Sequence, residues 1–102
     1  MEVIKLTAEN FEAEVKHSDR PVLVDFFADW CGPCQMQGPI VEKIASESDN
    51  FKVGKVNVDE QQSLAMEYGV MTIPTLMVVK NGEITYKEAG LLQEDAILEL
   101  LK

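Results

Sequence analysis

The sequence predicts an α/β fold of order βαβαβαββα, built on a central mixed five-strand sheet with helices on both faces. Three observations predict it. Short apolar runs alternate with stretches of helical periodicity over the first two thirds of the chain, which implies parallel pairing there. The run Val22-Leu23-Val24-Asp25-Phe26-Phe27 is apolar at both parities, as expected of a strand covered on both faces and therefore central. Asn81-Gly82 sits between two strand-like runs, a strong hairpin signal that makes the last pairing antiparallel.

The elements follow in order. Val3 to Leu6 reads as a short strand. Thr7 then stands where its hydroxyl can cap a helix, with Phe11 and Val15 four apart on the inner face. Pro21 opens the central strand, a position where a missing N–H is tolerated. Val22, Val24 and Phe26 share one face of that strand, and Leu23 and Phe27 the other. From Cys34 to about Glu47, Met36, Ile40, Val41 and Ile44 are spaced by threes and fours, a helix that Pro39 is expected to kink. Phe51 to Val58 is a valine-rich strand. Asp59 is positioned to cap the next helix, with Gln62 reaching back, and Gly69 suits its left-handed end. Thr75 to Lys80 and Glu83 to Glu88 form the hairpin strands, and Gly90 breaks the chain after them. Ile97, Leu100 and Leu101 mark a closing amphipathic helix.

At 102 residues the chain is one domain, 1–102, large enough to fold without covalent staples. Eighteen acidic against nine basic residues give a net charge of -9. That charge repels nucleic-acid backbones and anionic membrane surfaces, so neither is expected as a partner. No apolar run approaches the roughly 18 residues of a membrane span, and the N-terminus carries no secretory pattern. A cytoplasmic location is therefore expected, and a monomer, because no extra apolar face is obvious.

The two cysteines, Cys31 and Cys34, lie in Trp30-Cys31-Gly32-Pro33-Cys34, between a buried strand and a helix. Cys31 falls at the helix N-terminus, where unpaired N–H groups and the helix dipole favour a thiolate, the form that attacks disulfides. Cys34, one turn on, is suited to resolve the resulting mixed disulfide. Pro33 removes an N–H that has no partner in a first turn. A metal site is the competing reading, but zinc wants four ligands, and the chain adds one histidine, His17, on a polar helix face. No metal is expected; only a site shared across a dimer would accommodate one.

Asp25 is an acid in an apolar central strand, six residues before Cys31. Burial should raise its pKa, and such a carboxylate could take the proton of Cys34 directly or through one water. Lys55, at mid-strand in the following strand, could partner it if the two strands are neighbours. Asp25→Asn is expected to slow exchange more than it alters stability. Ile73-Pro74 begins the strand after the third helix, where a cis bond is possible for X-Pro. Met36, Met66, Met71 and Met77 are expected to fill the core.

Together Asp25 to Cys34, Pro39, Lys55-Val56-Asn57-Val58-Asp59, Ile73-Pro74-Thr75, Asn81-Gly82 and Gly90 resemble the thioredoxin family over essentially the whole chain. The resemblance implies a thioredoxin fold and a general protein-disulfide reductase with no bound cofactor. It implies Cys31 as attacking nucleophile, Cys34 as resolving thiol, Asp25 with Lys55 as proton acceptor, and Gly32 and Pro33 as the dipeptide that tunes the potential. Pro74 is implied as the cis-proline facing the disulfide. Trp30, Gly32, Pro33, Ile73, Pro74 and Gly90 would form the substrate-docking patch. Partners would be a thioredoxin reductase and disulfide-containing target proteins. Phe27, Gln35, Met71 and Thr72 depart from the commonest family pattern. A disulfide isomerase and a redox-switched binding module are the alternatives; Gly32-Pro33 lacks the histidine usual between the cysteines of oxidising relatives.

A lowered thiol pKa explains little of such a rate by itself. Going from a free value near 8.5 to the value near 7 that belongs to the thioredoxin family raises the thiolate fraction at pH 7 about 16-fold. A Brønsted slope of about 0.5 takes back roughly 5- to 6-fold, leaving about 3-fold. The proximity of the second thiol and the docking of the target must contribute more.

Overall fold

Five strands lie in the order β1-β3-β2-β4-β5 in the computed structural model, which describes residues 2–102. β1 is Ile4–Lys5, β2 Val22–Phe27, β3 Lys52–Asn57, β4 Thr75–Lys80 and β5 Glu83–Ala89. β3 pairs in parallel with both β1 and β2, whereas β4 is antiparallel to β2 and β5. The mixed sheet and its central strand are as the sequence predicts. β2 has a partner on each side and is buried along nearly its whole length.

Two apolar layers cover the two faces. On one, Val22, Val24 and Phe26 pack with Phe11, Val15, Leu64 and Met77. On the other, Leu23, Val53, Leu76 and Val78 pack with Val41 and Ile44 of helix α1 (Gly32–Glu47) and Ile97 and Leu101 of helix α3 (Glu94–Leu101). The period of two along each strand puts alternate residues in different layers. Gly54 is required by close approach: a Cβ there would lie 2.4 Å from Leu6 Cδ1, inside the buried layer.

Four local readings need correction. The first helical element is not an α-helix beyond its opening turn. Thr7 Oγ1 accepts from the Asn10 N–H and Asn10 Oδ1 from the Thr7 N–H, so the expected cap is present. The chain then continues as a π-helix over Glu12–Lys16, with the His17 N–H reaching back to the Glu12 carbonyl. A four-residue apolar spacing fits both helix types. The buried ammonium of Lys52 donates to the Glu14 carbonyl and carboxylate of this helix.

Second, α1 begins at Gly32 with Cys31 as its N-cap, as the Cys31-Gly32-Pro33-Cys34 motif predicts but two residues before the apolar pattern that starts at Cys34, and it continues as one helix past Pro39. Gly32 and Pro33 carry no apolar pattern that could mark the first turn. Third, Asp59 does not cap α2 (Gln62–Glu67), which has no side-chain cap. Asn57 Oδ1 instead accepts from the N–H groups of Asp59 and Glu60. α2 does end as expected at Gly69, which has φ +65°, with the Val70 N–H on the Ala65 carbonyl and the Gly69 N–H on Met66. Fourth, only Met77 among the four methionines is core. Met36 is 63%, Met66 80% and Met71 96% exposed. The i+3/i+4 count tolerates Met36, but the helix turns that position to solvent.

Among the described residues, no helix is long and apolar enough to cross a membrane.

Candidate active site

Cys31 and Cys34 lie where β2 gives way to α1, and they are joined as a disulfide with Cα atoms 5.2 Å apart. Cys31 is the N-cap of α1. Its backbone is extended, and its Sγ accepts the Cys34 N–H at 3.2 Å. The sulfur thus occupies the place of a capping oxygen, facing N–H groups that the helix leaves unpaired. Negative charge on Cys31 is favoured there by the hydrogen bond and by the dipole. Both sulfurs are nearly buried and pack with Ala28, Phe27, Val58 and Ile73.

Ile73 closes the opposite wall. Its carbonyl oxygen lies 3.8 Å from Cys31 Sγ, and the Ile73–Pro74 bond is cis. Pro74 is buried, and its carbonyl accepts the Gly90 N–H at 2.8 Å, which brings the exposed Gly90 up beside the loop. Gly32 and Pro33 are exposed on the helix side. Trp30 is 72% exposed, and its indole N–H donates to Asp59 Oδ2 at 2.8 Å. Asp59 therefore anchors the tryptophan instead of a helix. Gln35 stands beside the thiols, its Nε2 bonded to the Asp29 carbonyl.

Asp25 and Lys55 face each other in the β2–β3 register. Both project to the side of the sheet that α1 covers, by parity with Leu23 and Val53. Asp25 is fully buried, and among the described residues neither carboxylate oxygen has a hydrogen-bond partner. Burial pushes its pKa up from 3.8 to about 6, against a partial pull downwards from the Lys55 charge. The Lys55 ammonium sits over the Phe27 ring, 4.4 Å from its centre, and acts on Asp25 through its charge without a hydrogen bond. Cys34, Gln35, Gly38, Glu42 and Lys55 share the wall of an open cleft of about 270 Å³. The structure thus brings Cys34 and Lys55 to one solvent-reachable space.

This geometry can be set beside known proteins. The family model described as Thioredoxin matches residues 2–102. The chain belongs to the thioredoxin family. It is 46% identical over 95 residues to a thioredoxin of Rickettsia felis, covering 92% of this chain and 90% of that one. It is 44% identical over 102 residues to a thioredoxin of Bacillus subtilis, covering 99% and 96%. A solved structure of a mutant thioredoxin from Halobacterium salinarum superposes with a TM-score of 0.87 at 42% identity, covering 98% of this chain and 88% of that one. As in thioredoxins generally, the activity is protein-disulfide exchange through the paired cysteines, here Cys31 and Cys34. Thioredoxins are commonly re-reduced by a thioredoxin reductase and act on disulfide-containing proteins. Nothing in these matches supports the isomerase or binding-module readings.

Three site residues escape a reading of the sequence: Asp59, Asn57 and Gln37. Asn57 takes the capping role expected of Asp59, and Asp59 binds the Trp30 indole instead. Gln37 carries a usable signal. It stands at an inner-face position of α1, between Cys34 and Val41, where an uncompensated amide would be costly.

Proposed function

We propose that this thioredoxin-family protein works in the reducing direction, as a general donor of electrons to protein disulfides, and that Asp25 is the proton acceptor for Cys34. The capping of Cys31 Sγ by the Cys34 N–H carries the reading, because it stabilises the thiolate of the cysteine at the helix N-terminus. In the reduced protein the Cys31 thiolate attacks one sulfur of a target disulfide. That bond breaks, the first target thiolate leaves, and Cys31 is joined to the target through a mixed disulfide. Asp25 takes the Cys34 proton, directly or through one water. The Cys34 thiolate then attacks Cys31 Sγ. The intramolecular disulfide forms, the second target thiolate leaves, and two electrons have passed to the target.

Asp25 suits the task on two grounds. Its pKa of about 6 leaves it ionised at neutral pH yet basic enough to accept a proton. Lys55 keeps it from rising further, so ionisation is retained. Gly32 and Pro33 fix the first turn between the sulfurs and tune the potential. Trp30, Gly32, Pro33, Ile73 and Gly90 form the docking rim, with Pro74 beneath it. An extended target segment would pair with backbone at Ile73, a strand addition on a small scale. A thioredoxin reductase would return the electrons.

The test is turnover of a protein disulfide with NADPH and a thioredoxin reductase, followed by NADPH oxidation across pH 5–9. Wild type should turn over, with an inflection near pH 6 in the resolving step. Asp25→Asn should lose that inflection and run slower at pH 7. Equal rates and equal pH profiles would remove Asp25 from the mechanism.

A further inference from the structure

Gln37 stands three residues after Cys34 and is fully buried. Its side-chain amide makes one donated and one accepted bond to a single residue. Gln37 Oε1 accepts the Leu92 N–H at 2.9 Å, and Gln37 Nε2 donates to the Leu92 carbonyl at 3.0 Å. Residues 91–93 belong to no helix or strand, so this stretch of backbone has no ladder to satisfy it. Two residues earlier the Gly90 N–H is held by the Pro74 carbonyl. The segment from Gly90 to Leu92 is therefore fastened at both ends. One tie runs to the cis-proline loop, and the other to α1 a single turn past Cys34.

A buried amide needs a reason. Farther along the same face α1 presents Val41, Ile44 and Ala45. An apolar side chain at position 37 would pack against the same layer without an amide to desolvate. The amide adds direction: two hydrogen bonds to the same residue fix both the distance and the orientation of the Leu92 peptide groups. Because α1 also carries both sulfurs, the lock sets Gly90 and Leu92 relative to the disulfide.

We infer that Gln37 is a positioning residue that holds the Gly90–Leu92 rim in register with Cys31 and Cys34, and so preorganises the surface on which a protein target docks. The inference rests on the docking reading above. Losing a satisfied pair of bonds to backbone should weaken docking while leaving the sulfur chemistry intact.

Gln37→Met keeps the length and removes both bonds. Gln37→Leu removes both bonds with a shorter, branched side chain. KM and kcat are measured with a protein disulfide and with a small aromatic disulfide that needs no docking surface. Amide exchange at Gly90 and Leu92 is read in parallel. For Gln37→Met, KM for the protein disulfide should rise about 5- to 10-fold, the scale of one or two lost hydrogen bonds. The kcat and the small-disulfide rate should stay within about twofold, and exchange at Leu92 should quicken. Gln37→Leu should behave as Gln37→Met does, and it carries the test if the methionine variant does not fold. An unchanged KM for the protein disulfide, or equal losses on both substrates, would overturn the inference. Trp30→Ala separates the two readings: if it raises the protein KM and the Gln37 variants do not, the lock is wrong and docking stands. If neither Trp30→Ala nor the Gln37 variants shift the protein-to-small ratio, the docking reading falls, and the lock with it.

Discussion

The two ends of the α1–β2 layer bury different kinds of side chain. Toward its C-terminus α1 buries Val41, Ile44 and Ala45, and the facing start of β2 buries Leu23, with Val53 and Val78 of the neighbouring strands beside it. Toward its N-terminus α1 buries Cys34, Gln37 and Gly38, and β2 buries Asp25. The first end follows the hydrophobic pattern throughout. The second places a carboxylate, an amide and two sulfurs in the same kind of interior. Burial at the far end stabilises the fold; burial at the redox end sets protonation and position, at some cost in stability. The division teaches that the chemistry is built into the core itself and not laid on the surface above it.

Substitutions at the two ends should therefore separate activity from stability. The largest effect is at the sulfurs. Cys34→Ser should lower turnover by at least about 1,000-fold, because the resolving thiol's effective concentration is lost. It should also trap a covalent complex through Cys31, visible by mass under non-reducing conditions. A variant that still cycles would place the resolving thiol elsewhere.

At the far end, Ile44→Ala should destabilise the protein by about 2–5 kcal/mol, as for a fully buried aliphatic side chain, with kcat/KM of the folded protein nearly unchanged. Denaturant unfolding reads the first quantity and the exchange assay the second. A loss of exchange chemistry as large as the loss of stability would erase the contrast.

Asp25 sharpens it through pH. Its carboxyl holds a proton up to about pH 6 when folded and releases it near 3.8 when unfolded. Between those values the folded state binds more protons, so stability falls as pH rises and the penalty is complete above about pH 6. A gap of about two pH units corresponds to about 3 kcal/mol. Asp25→Asn should thus stabilise the protein by about that much at pH 8 and by nearly nothing below pH 4, while slowing exchange. The sequence suggests an effect on exchange larger than that on stability; burial with no hydrogen-bond partner on either oxygen among the described residues adds a pH-dependent stability effect of this size. A stability difference that does not vary with pH would contradict the account.

The smallest effect concerns the surface. Asp59→Ala removes the acceptor for the Trp30 indole and should cost about 1 kcal/mol or less in stability. Its signature is a rise in protein-target KM with the small-disulfide rate preserved. Loss of both rates together would show that Asp59 acts on the thiols instead.

Much of this is legible in the sequence. The mixed sheet with β2 at its centre, the hairpin at Asn81-Gly82, the placement of Cys31 at a helix start and the pairing of Asp25 with Lys55 all follow from patterns of period two and 3.6, turn residues and charge. What stays hidden depends on partners distant in the chain. Asp59 meets Trp30 across 29 positions and Gln37 meets Leu92 across 55, and no local pattern encodes such pairs. The exposure of Met36, Met66 and Met71 runs against expectation because hydrophobicity alone does not say which way a residue faces. The π-helix is invisible to the pattern because Phe11 and Val15 share a face in either helix type.

The most direct measurement is the reduction potential of the Cys31/Cys34 pair. Trp30 is the only tryptophan and adjoins Cys31, so its fluorescence should follow the redox state in a titration against dithiol buffers. The account predicts a value of about -270 mV, the potential that characterises thioredoxin itself. A value between roughly -180 and -120 mV would belong to an isomerase or an oxidant and would contradict the reducing role.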